Sequence, residues 1–470
     1  MEQIPFDPAE PKAALTRLPQ SPAVFVLHGA ESHAEPYIGR TPNLRARLER
    51  LLQPSPKHPR RLQLAGRVRR IAWQLTGSEF ESLLLQFELL QEVHGTKCLE
   101  RMHLRAPAFI RYLGGNPYPR IVVTNRPSQR EADWAYGPFP SRAAAERYAE
   151  EALKLFLLRR CTFDLDPDPS YPGCVYSEMK MCLAPCYKGC TDERYAEESA
   201  AVERFLATRG ESRLVTLRTE RDQASGNLEF ESAAQIHTQV QRVESVRALA
   251  SELVRPMNQL RAVILQASAQ PDEVAVFLFE DGRLRGPAAF STIGMRIQNE
   301  QSGSSSLFAH PMAIEAVPEQ PDVREQVPGI GEQGSEISSE ITAVSEEAPN
   351  ETSAQKDTGT LKGTGFSPYI NRPESTGALA PEGNATSPKL TRTILESRME
   401  SALAALSQPE ATASATQRQG HLALLKRWYY RPEMKRTGEI FFPDADDRWP
   451  IKALLRGAGR VAAKMIGQAT

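Results

Sequence analysis

The sequence predicts an α+β protein assembled from several small units, on three observations. Short β-rich runs alternate with amphipathic helical stretches early in the chain, as in SPAVFVLHG (21–29) and FESLLLQFELLQEVHG (80–95). Five of the six cysteines crowd into positions 161–190, a stretch rich in Pro, Asp and Tyr, which argues for a built module rather than scattered thiols. Residues 296–392 are rich in Ser, Gly, Pro, Glu and Thr and poor in aromatics. Such a composition cannot bury a core, and it predicts a disordered acidic linker. A length of 470 residues allows two or three domains around that linker.

Residues 15–98 read as a small mixed α/β domain. SPAVFVLHG and EPYIG (35–39) are strands, RTPN is a turn, and LRARLERLL (44–52) is a helix with Leu44, Leu48, Leu51 and Leu52 at helical spacing. HPRRLQLAGRVRRIAWQLT (58–76) ends in a strand. The next helix carries Phe80, Leu84, Phe87 and Leu90 among its apolar positions and closes at Gly95. Residues 99–195 form a cysteine-rich α/β unit. In it RIVVT (120–124) is a strand, YGPFP (136–140) a tight turn, and SRAAAERYAEEALKLF (141–156) a helix capped by Ser141. Around the cysteines little regular structure is expected.

Residues 196–255 hold two long helical patterns broken near ASGN (224–227), an antiparallel helical hairpin. A two-helix unit cannot bury its apolar stripe alone, so it needs a partner in cis or in trans; an ordinary two-helix core is the plainer alternative. Residues 256–295 predict a strand followed by a hairpin turning at Asp281-Gly282. Residues 393–470 form a small basic α+β piece with HLALLKRWYYRP (421–432), a strand pair around GEIFFPD (438–444) and a closing helix from WPIKALL (449–455). Its Trp428, Tyr429 and Tyr430 stand among Lys426, Arg427, Arg431, Lys435 and Arg436. Stacking on nucleic-acid bases is one reading. A core aromatic cluster with a basic rim is the preferred one, because a small end domain needs such a core.

The formal charge of -1 hides an asymmetry. Residues 313–357 hold eleven acidic residues against Arg324 and Lys356, leaving 55 basic against 47 acidic residues elsewhere. A basic body implies a polyanionic partner. Mean hydropathy is -0.43 and no run of eighteen apolar residues occurs, so no membrane span is expected. The start, MEQIPFDPAEPK, lacks a basic, apolar leader, and the chain reads as cytoplasmic. In a reducing compartment clustered cysteines bind metal or do chemistry more often than they pair. Cys161, Cys174, Cys182 and Cys186 are separated by twelve, seven and three residues, and only the last pair has knuckle spacing. Zinc, an iron–sulfur cluster and reduced buried thiols all remain open on residue chemistry alone. VPGIGEQ (327–333) has a turn suited to a helix-hairpin-helix DNA module, but no apolar helix flanks it, and it reads as linker.

Tyr37-Ile38-Gly39-Arg40 followed by Asn43-Leu44-Arg45-Ala46-Arg47 suits phosphate chemistry. A phenol moves a proton and guanidinium groups pair with phosphate oxygens. From Arg40 to Arg70 ten basic residues face a single acid, Glu49. Clustering this one-sided points to DNA, with Arg40, Arg45, Arg47, Arg60, Arg61, Arg69 and Arg70 as candidate contacts and Arg40 and Arg47 facing one groove; a solvated basic face is the alternative.

These motifs resemble the UvrC excinuclease family. AVF…YIGRTPNLRARL resembles its GIY-YIG nuclease domain, and ESLLLQFELLQ resembles the helix EALLLENNLIK. YGPFP resembles YFGPYP, LRRC and CVYSEMKMCLAPC resemble LRTC and C…GRCLAPC, and LEFESAAQIHTQVQRVESV resembles the UVR hairpin. The series is collinear from about residue 20 to 250. The resemblance implies catalytic roles for Tyr37 and Arg47, with Arg40 beside them, and a single Mg²⁺ or Mn²⁺ if the site is active. It also places Phe25 where the family has the GIY tyrosine, Gln86 where it has the metal glutamate, and Cys98 where it has an asparagine. A neutral amide is a poor ligand for a hard divalent cation, and phenylalanine carries no proton. Absent or badly impaired strand cutting is therefore expected. An active nuclease with altered metal ligands and a non-catalytic adaptor are the alternatives. The resemblance further implies a [4Fe–4S] cluster on Cys161, Cys174, Cys182 and Cys186, with zinc as the alternative and Cys190 left over. It implies a UvrB-like partner docking on Phe230, Ala233, Ala234 and Ile236. Residues 256–295 then read as a β-hairpin remnant near a ribonuclease H-like domain whose catalytic centre is lost.

Overall fold

Three four-stranded antiparallel sheets organise the described residues of the computed structural model, which are 1–31, 34–52, 64, 66–126, 133–293, 295, 388–408 and 413–469. The predicted linker lies almost entirely outside them, as do VPGIGEQ, Arg60 and Arg61.

The first sheet has the order β1 (Glu2–Pro5), β4 (Val68–Leu75), β2 (Ala23–Gly29), β3 (Tyr37–Thr41). Strand periodicity splits its side chains between two layers. Phe25, Leu27, Ile71 and Trp73 pack with Leu44, Leu48 and Leu52 of α2 (Leu44–Leu52). On the opposite face Ile38 packs against α3 (Glu79–His94). α3 starts where Ser78 accepts the Glu81 N–H, and it ends at Gly95 with φ 55°, a conformation natural to glycine.

The second sheet has the order β6 (Ile121–Thr124), β5 (Ala108–Leu113), β7 (Asp133–Phe139), β8 (Arg255–Pro256). YGPFP does not form the expected tight turn: its first four residues lie inside β7. Gly137 is required there because a Cβ would stand 2.5 Å from the Phe109 ring. α5 (Arg142–Leu153) begins at Ser141, which accepts the Ala144 N–H as predicted. The helical region differs from expectation. It contains three helices, α7 (Asp192–Ala207), α8 (Glu211–Gly226) and α9 (Phe230–Ala248), because Arg209 and Gly210 adopt positive φ and end the first pattern early. α7 joins the core of the second sheet through Tyr195, Val202 and Phe205, so the hairpin proper is α8–α9.

The third sheet corrects the domain division. β10 (Glu273–Glu280) and β11 (Arg283–Ser291) form the predicted hairpin, with Asp281 and Gly282 both at positive φ, and the predicted strand β9 (Ala262–Ala267) pairs antiparallel with β10. Instead of a strand pair, the C-terminal residues supply one short strand, β12 (Glu439–Phe441), which pairs with β9. The supposed remnant and the supposed separate piece are thus one sheet, in the order β11-β10-β9-β12. Val274, Val276 and Leu278 face α10 (Pro388–Leu406) and α12 (Ile451–Ala469), while Ala275, Phe277 and Phe279 face α3 and α11 (Ala415–Tyr429). Burial on both faces explains why EVAVFLFE is continuously apolar. α10 begins four residues before the linker boundary at 392.

Candidate nuclease-type site and cysteine module

Phe25 lies on β2 opposite Gly39 of β3, fully buried, with its para carbon the atom nearest Gly39. A Cβ at Gly39 would come within 2.6 Å of that ring, so the glycine is the space the ring occupies. Tyr37 shares this layer, 6.1 Å from Phe25 between ring centroids. Arg47 stands half-buried on α2 of the same layer. Arg40 does not join it there. Its neighbour Glu79, at the start of α3, draws it to the other face at 3.3 Å. Glu79 is also gripped by both terminal nitrogens of Arg431, at 2.7 and 2.9 Å. The Arg431 hydrogen bonds, aided by the charge of Arg40, hold the Glu79 carboxyl below its ordinary range.

The carboxylates around Gln86 are therefore committed. Glu81, buried, accepts the Gly77 N–H at 2.8 Å and completes the cap of α3; burial pushes its carboxyl up. Glu88 is exposed, about 200° around the helix from Gln86. Cys98 is buried in the core beneath α3, where burial pushes its thiol up. These residues do not fit a Mg²⁺ site. Of the other basic candidates, Arg45 donates to the Leu18 carbonyl at 2.7 Å and Arg69 to the Gly66 and Val68 carbonyls. Arg69 and Arg70 are adjacent on β4 and point to opposite faces, so these arginines do not form one groove.

The four cysteines are brought together. Cys161, Cys174, Cys182 and Cys186 line one small cavity with Pro185 and Tyr176. Burial pushes the Cys182 thiol up to about 11, against the Ala184 N–H bond that lowers it, with the sulfurs of Cys161, Cys186 and Cys174 adding to the rise. Among the described residues no three His, Cys, Asp or Glu side chains stand as a ready site for a metal ion. Cys190 packs outside the cavity against the core of the second sheet.

Sequence reading missed Arg159, which is 1% exposed. Its guanidinium donates to the Tyr118 carbonyl at 2.9 Å, the Phe163 carbonyl at 2.9 Å, Asn116 Oδ1 at 3.5 Å and Cys161 Sγ at 3.5 Å. No carboxylate is among these acceptors, although a buried cation ordinarily has an anionic partner. The available signal was its place two residues before a cysteine.

In the hairpin, Phe230 (65% exposed) and Leu228 (72%) stand at the turn, Ala234 is exposed and Ala233 half-exposed. Ile236 instead packs toward the core of the second sheet. The C-terminal aromatics are core, as preferred: Trp428 is buried, donates to the Thr437 carbonyl at 2.9 Å and meets Phe80. On β9 the buried polar residue is Gln266, an amide that donates to the Thr437 carbonyl at 3.1 Å.

The small antiparallel sheet carrying Tyr37-Ile38-Gly39 and the cysteine-lined unit after it are the parts of the chain that resemble GIY-YIG excinuclease subunits. Residues 21–95 match the family described as UvrC-like GIY-YIG domain, and residues 109–205 match the UvrC/Cho excinuclease middle domain. UvrABC system protein C of Alcanivorax borkumensis is 27% identical over 60% of this chain and 46% of its own length. That of Desulforudis audaxviator is 29% identical over 59% and 44%, and that of Symbiobacterium thermophilum 28% over 67% and 50%. The chain spans about half the length of the curated relatives it matches. No solved structure matches it significantly. This chain is UvrC-like, with the family's GIY-YIG and middle domains. No helix among the described residues is long and apolar enough to cross a membrane.

Proposed function

We propose that the chain is a nucleotide excision repair protein that binds DNA and a UvrB-type partner without cutting DNA at its GIY-YIG site. The observation that carries this reading is the buried ring of Phe25 seated on Gly39 where a proton-moving phenol is needed. Gln86 and the engaged carboxylates Glu79 and Glu81 support it, because they leave a divalent cation without a free carboxylate on the first turns of α3. Tyr37 and Arg47 remain as the retained half of the site. Leu228 and Phe230 offer the exposed apolar surface for the partner protein.

Cys161, Cys174, Cys182 and Cys186 hold a [4Fe–4S] cluster in the same reading. A single tetrahedral zinc needs its sulfurs about 3.8 Å apart, given Zn–S bonds of about 2.3 Å; a four-iron cube spreads them wider. Four cysteines around one cavity supply the thiolate set that such a cluster takes. Arg159 and the Ala184 N–H are donors suited to anionic sulfur. A bound cluster supplies a redox-active centre and ties the loop 161–186 together.

The test is incision of damaged and nicked duplex DNA with Mg²⁺ or Mn²⁺. The native chain is expected to leave the strands intact, and the Phe25→Tyr/Gln86→Glu variant to gain cutting that Tyr37→Phe removes. Robust native incision, lost in Tyr37→Phe, overturns the reading.

A further inference from the structure

We infer that the root of the helical hairpin is a second DNA-backbone site, a basic groove between α5, α8 and α9. The groove has a volume of about 670 Å³. Arg147 and Lys154 come from α5 and its C-cap, Arg213 from α8 and Arg242 from α9. Leu217 and Val246 are among its apolar lining. The inference rests on the DNA-binding reading above and adds a place for that binding.

Charge pairing separates these arginines from their neighbours. Arg218 lies 2.9 Å from Glu244, Arg247 3.0 Å from Glu211, and Arg221 2.7 Å from Asp222. Each of those charges is answered within the chain. Arg147, Arg213 and Arg242 form no ion pair with a carboxylate among the described residues. The single acid lining the groove, Glu151, is held by Lys154 at 2.7 Å. Three unanswered guanidinium groups from three helices thus converge on one concavity. Their mutual repulsion opposes the fold, and apolar walls concentrate their field. A phosphate backbone answers it: guanidinium forks match phosphate oxygens, and a groove this size admits consecutive phosphates. Along α9, Arg242 and Phe230 are twelve residues apart, about 18 Å at 1.5 Å per residue. DNA at the root and a protein at the tip can therefore be held together.

Binding of the full chain to fluorescein-labelled duplex DNA, followed by anisotropy across a salt series, tests the inference. Arg147→Gln/Arg213→Gln/Arg242→Gln is expected to weaken binding at least tenfold and to flatten the slope of log K against log salt by about 2–3. Glu151→Gln, which frees Lys154, is expected to tighten binding, a gain that misfolding cannot produce. Unchanged affinity and slope in the triple variant, or loss of a UvrB-type protein with DNA binding intact, overturns the inference. If the native chain binds no DNA, the proposed function fails first. If only Arg69→Gln/Arg70→Gln loosens DNA, the groove fails alone.

Discussion

The nuclease-type sheet and the cysteine module treat their functional residues in opposite ways. In the sheet, the position of the family's first tyrosine holds Phe25, which is absorbed into the core, and Arg40 is drawn into an ion-pair chain with Glu79 and Arg431. The helix that bears Gln86 presents Phe80 and Phe87 to α11 and the third sheet. In the cysteine module, four thiols face one cavity and the buried Arg159 guanidinium donates to two carbonyls, an amide oxygen and the Cys161 sulfur. The same chain therefore packs the one set of residues into a core and gathers the other around a cavity. Whatever its chemistry, the first sheet and α3 serve as a seat for their neighbours.

The largest effect separating the two regions is expected at Arg159. Arg159→Met deletes donors to the Tyr118 and Phe163 carbonyls and to Cys161, leaving buried acceptors unpaired. A loss of about 3 kcal/mol in denaturant unfolding is expected, with reduced iron content and a weaker absorbance near 400 nm. Arg159→Lys, which keeps the charge, is expected to recover iron better than stability. Equal iron in all three proteins would break the contrast, since the guanidinium would then be structural only. At the sheet, Gly39→Ala forces a methyl into the Phe25 ring and is expected to cost about 2 kcal/mol, as overpacked cores do. In a Phe25→Leu background the same change is expected to cost less than half as much. Equal costs in both backgrounds would show that the ring does not fill the site.

Much of this contrast was legible in the sequence. The two half-motifs and the four cysteines are local patterns, and they carried the fold of residues 21–95 and the gathering of the cysteines. Ser141 and Asp281-Gly282 were legible for the same reason, because a cap and a two-residue turn are set by adjacent residues. What escaped was non-local. β12 pairs with β9 across roughly 170 residues, as the Ile440–Ile264 register shows, and no periodicity announces such a partner. YGPFP carries turn residues, yet the need to pass Gly137 over Phe109 places it in a strand. The capture of Arg40 by Glu79 depends on helix placement, and the carbonyl acceptors gathered around Arg159 depend on tertiary packing.

The smallest of these effects concerns the seat that α3 provides. His421 of α11 packs on Phe87 at 5.3 Å between ring centroids, and its Nδ1 accepts the Leu284 N–H at 2.8 Å. Burial, with a smaller contribution from Arg283, pushes its pKa down to about 3, so the ring is neutral in the fold. Unfolding releases it to an ordinary value near 6.5, and between those values the unfolded chain binds more protons than the folded one. Stability is unaffected by this titration above pH 6.5 and falls as pH drops below it, the loss reaching about 1.4 kcal/mol at pH 5.5. His421→Gln keeps an acceptor for Leu284 without the titration. The difference in unfolding free energy between native and variant is expected to shift by that amount between pH 7.5 and 5.5. A constant difference would mean that the ring charges without cost, so that the face of α3 bearing Phe87 is open to water. The helix that carries Gln86 would then be free to serve a site, and the contrast between the two regions would narrow.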